Sequence, residues 1–252
     1  MAEQKQITRT DGTKIAYNLM EGEGPGIVFL GGFMSNKEGT KALALESWAR
    51  QTGHRFLRFD YFGHGQSSGD FVEGTIGRWI DDARDVVTSL TKSPQILVGS
   101  SMGGWIALAL AQQHPEHVAG VVGVAAAPDF TTRLMWPDLD PTLQQIMKDK
   151  GVAEVPSDYG QPYPVTYQLI EESRNHLLLD TRIKLSCPVH LLQGQKDTDV
   201  PWRHGLAILD ALDAPEAWLT LIKDGDHSLS TDSHLAAIIQ AIEAMTKKTS
   251  AE

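Results

Sequence analysis

The run Gly99-Ser100-Ser101-Met102-Gly103 fits the pattern G-x-S-x-G, and it stands where an apolar stretch, PQILVGS (94 to 100), gives way to a helical pattern. A serine at such a strand-to-helix turn can act as a nucleophile. The flanking glycines give the cramped backbone room, the turn lifts the Ser101 hydroxyl clear of the strand end, and the Met102 N–H is left at the helix N-terminus, where it can stabilise an oxyanion. Ser100 is the neighbouring competitor, but Ser101 holds the central place of the pattern.

A serine hydroxyl is a weak nucleophile at neutral pH and needs a base. Of the nine histidines, His227 in Asp224-Gly225-Asp226-His227-Ser228 follows the last apolar strand and precedes the terminal helix, which puts it at the same sheet edge as Ser101. His64, inside Gly63-His64-Gly65, is the main rival; His114 and His117 follow the nucleophile helix at its far end. An acid should orient the imidazole, and Asp197 stands at the C-terminal end of VHLLQG (189 to 194). Asp199 is the alternative, and Asp226 is expected to shape the histidine loop. The order serine, acid, histidine differs from that of chymotrypsin and of subtilisin. A second oxyanion donor is expected in Leu30-Gly31-Gly32-Phe33-Met34, at the Phe33 N–H, although a turn built for shape alone would use the same glycines. No H-E-x-x-H or similar ligand cluster is present, so no metal and no cofactor are expected.

These residues require a sheet to position them. GIVFLGG (26 to 32), HRFLRFDY (54 to 61), PQILVGS and VAGVVGVAAA (118 to 127) read as buried strands, and VHLLQG and WLTLIK (218 to 223) as further strands. Helical spacing over 39 to 52, 75 to 91, 102 to 113, about 202 to 212 and about 233 to 247 separates them, with Thr231 or Asp232 as N-cap of the last. Strand and helix in alternation predict a doubly wound, mostly parallel α/β sheet in a single domain spanning 1–252. Alternation broken at Asp11-Gly12 between Gln6 and Met20 adds an N-terminal antiparallel hairpin. From Asp129 to Lys184 the pattern breaks up, with amphipathic stretches near 141 to 150 and 164 to 178, and this segment is read as an inserted cap. Its aromatics Trp136, Tyr159, Tyr163 and Tyr167 could line a substrate pocket or pack the cap on the core. Trp105, just after Gly103-Gly104, has the same two readings.

A net charge of −10 with no block of Lys or Arg makes nucleic acid an unsuitable partner, and no stretch has the apolar length of a membrane span. Cys187 is the single cysteine, which excludes an internal disulfide and suits a reducing compartment. The polar start, MAEQKQITRTDG, lacks the pattern of a secretory signal, and a cytoplasmic location is expected. Nothing in the sequence fixes the oligomeric state.

With Asp60-Tyr61-Phe62-Gly63-His64-Gly65-Gln66-Ser67 added to the serine motif, the chain resembles the α/β-hydrolase superfamily over essentially its whole length. GGFMSNKEGTKALALE, RFDYFGHGQSSG, QILVGSSMGGW, KGVAEVPSDY and GQKDTDVPW carry a narrower similarity, to the subgroup of palmitoyl-protein thioesterases and mycophenolic acid acyl-glucuronide esterases. The resemblance implies the α/β-hydrolase fold, a triad of Ser101, Asp197 and His227, and backbone oxyanion donors at Phe33 and Met102. It assigns His64 to a structural loop. Gly31 departs from the histidine that many superfamily members carry there. The expected reaction is hydrolysis of a small-molecule acyl ester or thioester through an acyl-enzyme. Carbon–carbon bond hydrolysis, perhydrolysis and peptidase activity are possible on the same triad, as is a non-catalytic ligand receptor on the same fold.

Overall fold

The computed structural model describes residues 4–156 and 160–249. Eight strands form the main sheet: β1 (Gln4–Thr8), β2 (Lys14–Met20), β3 (Glu23–Leu30), β4 (His54–Phe59), β5 (Gln95–Ser100), β6 (Val118–Val124), β7 (Val189–Gly194) and β8 (Ala217–Ile222). Their order is β1-β2-β4-β3-β5-β6-β7-β8. The hairpin β1-β2 is antiparallel and joins β4 antiparallel; every pairing from β4 through β8 is parallel. The doubly wound sheet with an antiparallel N-terminal hairpin is therefore present as expected.

Period-two alternation explains why the strands are apolar throughout. Ile27, Phe29, Ile96, Val98, Val122, Val124 and Leu192 face one core, while Val28, Leu30, Leu97, Val121, Val189 and Leu191 face the other. The first core is closed by the helices Thr40–Thr52, through Leu45 and Trp48, and Asp232–Thr249, through Ile238, Ile242 and Met245. The second is closed by Ile76–Leu90 and Met102–Gln113. The Thr231 hydroxyl accepts the His234 N–H at 3.3 Å and so caps the last helix. No helix among the described residues is long and apolar enough to cross a membrane.

Met102–Gln113 differs from the amphipathic helix its spacing suggested, because Met102 through Ala111 are all buried. A helix buried all round needs cover on its outer side. The segment between β6 and β7 supplies it: Ile170, Leu178, Ile183 and Leu185 lie in the same core, and the Trp105 indole N–H donates to the His176 carbonyl at 3.0 Å.

This excursion contains a π-turn (Thr131–Met135), a helix (Pro141–Lys150), an antiparallel hairpin (Val152–Val155 with Tyr163–Thr166) and a short helix (Tyr167–Ser173). Ile183–Lys184 then pairs with Leu212–Asp213 before the chain re-enters the sheet. The helix over 141 to 150 matches its sequence pattern. The stretch from 164 does not begin as a helix: Pro164 to Thr166 complete the hairpin, because Val165 is buried opposite Ala153 while its neighbours are half-exposed. Tyr159 lies outside the described residues.

Candidate active site

Ser101 sits between β5 and the helix Met102–Gln113 with φ 54° and ψ −118°. A non-glycine residue in that region costs on the order of 1–3 kcal/mol and holds only if its surroundings enforce it. They do so through the backbone. The Ser101 N–H donates to Val124 O at 2.9 Å, and its carbonyl accepts N–H groups from Gly104 at 2.8 Å and Ala127 at 3.1 Å. The two motif glycines are required by close approach: a Cβ on Gly99 would lie 2.2 Å from Gly103 O, and one on Gly103 would lie 2.1 Å from Leu30 O. Met102, as the first helical residue, keeps its N–H outside the intrahelical ladder.

The loop after β3 runs against this turn, since a Cβ on Gly32 would be 3.4 Å from Ser101 Cβ. The end of β4 and the residues after it hold that loop in place. Asp60 accepts the Lys37 N–H at 2.6 Å and the Gln66 N–H at 2.8 Å, while Arg58 donates to Lys37 O at 2.9 Å. His64 Nε2 accepts the Met34 N–H at 3.2 Å and Nδ1 donates to Phe62 O at 3.1 Å, an arrangement that uses both nitrogens of a neutral ring. Burial pushes its pKa down, in keeping with that form. His64 thus braces the loop. Ser35 N–H turns back to Gly32 O at 3.1 Å and Met34 N–H to His64, which leaves the Phe33 N–H without an acceptor among the described residues.

Asp197 and His227 come from loops after β7 and β8. His227 Nδ1 lies 2.9 Å from Asp197 Oδ2, and His227 Nε2 lies 3.2 Å from Ser101 Oγ. The Asp197 side chain is fully buried and accepts four hydrogen bonds: Gln193 Nε2 and His227 on Oδ2, Asp199 N–H and Val200 N–H on Oδ1. Four acceptors filled is the capacity of a carboxylate. Asp199 supplies its backbone N–H to this network, and Asp226 accepts the Leu229 N–H at 2.9 Å, shaping the histidine loop as expected. Asp197, Asp199 and His227 offer ligand atoms within 4.8 Å of one another, but a cation there would have to displace bonds that already fill Asp197.

An aromatic wall is built around the Phe33 ring. The Phe33 ring packs against Phe71 (5.0 Å between centroids), Phe130 (5.6 Å), Trp79 (5.9 Å) and Tyr163 (5.9 Å). Burial, and to a lesser degree Asp199, push the Tyr163 phenol pKa up, so the hydroxyl stays protonated. Tyr167 is placed apart, against Trp136 at 5.7 Å, and Trp105 is buried beneath the wall with its edge on Phe130 at 5.9 Å. Sequence reasoning missed Phe71, Trp79 and Phe130, whose loops and helix meet only in the fold. It also missed Gln193, although a glutamine inside the apolar run VHLLQG was a legible signal.

A parallel sheet with a strained serine at the end of its central strand, joined through histidine to a buried aspartate, defines a class, and the chain belongs to it: the alpha/beta hydrolase fold family, whose profile matches residues 25–151. Within that family it is similar to palmitoyl-protein thioesterase ABHD10, mitochondrial, at 36% identity for the Rattus norvegicus protein and 37% for that of Homo sapiens. Each match spans 246 residues and 97% of this chain, with 82% and 80% of the relative's length. A hydrolase from Agrobacterium vitis S4 superposes with a TM-score of 0.93 at 39% identity, over 98% of this chain and 99% of that one. Alpha/beta hydrolase domain-containing protein 10 from mouse gives 0.90 at 36%, with the same coverage.

These relatives correct the expected cytoplasmic location, since the ABHD10 proteins matched along nearly all of this chain are named mitochondrial. A lone cysteine indicates a reducing environment, and that criterion does not separate the cytosol from other reducing compartments.

Proposed function

We propose that this α/β hydrolase cleaves carboxylic esters or thioesters through an acyl-enzyme on Ser101, with His227 as general base and acid and Asp197 as its orienting partner. The observation that carries the reading is the continuous chain from Asp197 to His227 at 2.9 Å and on to Ser101 Oγ at 3.2 Å, within reach of proton transfer. His227 Nε2 takes the hydroxyl proton as Oγ attacks the carbonyl carbon. The Met102 and Phe33 N–H groups receive the developing oxyanion. Collapse of the tetrahedral intermediate expels the alcohol or thiol, which takes the proton back from His227. Water, deprotonated by the same imidazole, then releases the carboxylic acid. Asp197 carries no proton in this sequence; it fixes the Nδ1–H tautomer and stabilises the imidazolium.

The substrate class follows from the wall and the relatives together. An acyl group borne on Ser101 Oγ would find apolar cover in the rings of Phe33, Phe71, Phe130 and Tyr163, which pack together around the loop of the proposed oxyanion donor, and the relatives' name, palmitoyl-protein thioesterase, describes a long acyl chain on a thiol. The excursion from Asp129 serves as the cap over that chain. Labelling with a fluorophosphonate tests the nucleophile: wild type should label, and Ser101→Ala should lose both the label and at least about 10³-fold in ester hydrolysis. Labelling that persists in Ser101→Ala overturns the assignment.

A further inference from the structure

Lys41 lies in the first turn of the helix Thr40–Thr52, which follows the loop carrying Phe33. Its ammonium donates to the carbonyl oxygen of Ser228, the residue next to His227, and that oxygen also accepts the Ser230 hydroxyl at 3.0 Å. The side chain is partly buried, and its charge faces the carboxylates of Asp226 and Asp197. Two costs attach to this placement. A cation near a helix N-terminus opposes the helix dipole, and burial penalises the charged amine, pushing its pKa down against the pull of the two carboxylates.

The loop it holds is itself constrained. Leu229 has φ 44°, left-handed for a γ-branched residue, and its N–H is held by Asp226 Oδ1 at 2.9 Å. On the other side Gly225 O accepts the Lys196 N–H at 2.8 Å, which fixes the loop to the residues after β7. Lys41 is the corresponding fixture from the first helix.

We propose that Lys41 is a positioning residue for His227: it anchors the Ser228 carbonyl from the helix that follows the Phe33 loop, and so sets the imidazole's approach to Ser101. One ammonium thereby couples the base to the oxyanion-donor side of the cleft and offsets the two carboxylates beside the histidine. This rests on the hydrolase mechanism proposed above.

The test compares Lys41→Met, of similar length but without charge or donor, with Lys41→Arg in the whole chain, using fluorophosphonate labelling rate, steady-state hydrolysis of a short acyl ester and thermal melting. Lys41→Met is expected to lose about 10- to 100-fold in labelling rate and kcat, with KM within about threefold, the size of effect a small misplacement of a reacting group produces. Its melting temperature should hold or rise, because the buried charge is gone. Lys41→Arg should recover most of the rate. Wild-type kcat in folded Lys41→Met overturns the proposal, as does a loss of rate that only follows a loss of folded protein. Labelling that survives Ser101→Ala would instead remove the mechanism on which the proposal stands, and the two failures are thus distinct.

Discussion

Ser101 and Tyr163 belong to regions held in place by different means. The turn at Ser101 is held by main chain: its N–H meets Val124 O, and the carbonyls of Gly103 and Leu30 come so close that residues 99 and 103, two positions to either side, must be glycine. Tyr163 belongs to an excursion whose return is fixed by side chains. Asp129, itself at φ 60°, accepts the N–H groups of Leu178 at 2.8 Å and Leu179 at 2.9 Å; Thr131 and Ser173 share a hydroxyl bond at 2.7 Å; Trp105 donates to His176 O. Main-chain geometry tolerates little change, whereas a side-chain clasp can be altered one residue at a time. Under the function proposed above, chemistry rests on the first and substrate choice on the second, so the two should vary separately.

The strongest test of that separation lies on the sheet side. Asp197→Ala should lower kcat on the order of 10⁴-fold while leaving the acyl-chain preference as it is, read from hydrolysis of a graded series of esters. An altered preference would mean that the two regions are not independent. Next in size is the clasp. Asp129→Ala leaves two N–H groups, at Leu178 and Leu179, without their acceptor, a loss of about 1–3 kcal/mol each if no other partner forms. Denaturant unfolding should show that loss, and KM for long-chain esters should rise with kcat for a short ester little changed. Asp129→Asn keeps one acceptor and tolerates a positive φ, so it should fall between the two.

Legibility in the sequence divides along the same line. The strands over 54 to 59, 95 to 100 and 189 to 194 and the flanking helices could be read because each residue's burial follows from its own period along one element. Ser101, Asp197 and His227 were legible because each stands at a boundary between elements. The partnership of Phe33 with Phe71, Phe130 and Tyr163 was not, since it joins four segments far apart in the chain and no local period records it. The helix over 102 to 113 was read as one-sided because its pattern cannot report a cover that arrives 71 residues later, as His176 does at Trp105.

A smaller effect is expected at Tyr163. Tyr163→Ala removes a ring contact with Phe33 worth about 0.5–1.5 kcal/mol beyond its buried area, and should weaken long-chain over short-chain esters by a corresponding few-fold factor. Tyr163→Phe keeps the ring and should retain the chain-length profile. A profile changed equally by both would assign the effect to the hydroxyl instead of the ring.

The mildest perturbation uses Cys187, just ahead of β7 where the excursion rejoins the sheet. The residue is buried, and burial pushes its thiol up to about 11. At pH 8 about one molecule in a thousand then carries the thiolate, the form that reacts with alkylating reagents, so the native protein should resist iodoacetamide and react fully once denatured. If the excursion is held mainly by its side-chain clasp, Asp129→Ala should speed Cys187 alkylation under native conditions while Asp197→Ala should not. Equal rates in the two variants would mean that the excursion's return is fixed by the packing of Ile183 and Leu185 on the core, with the clasp serving only its outer part.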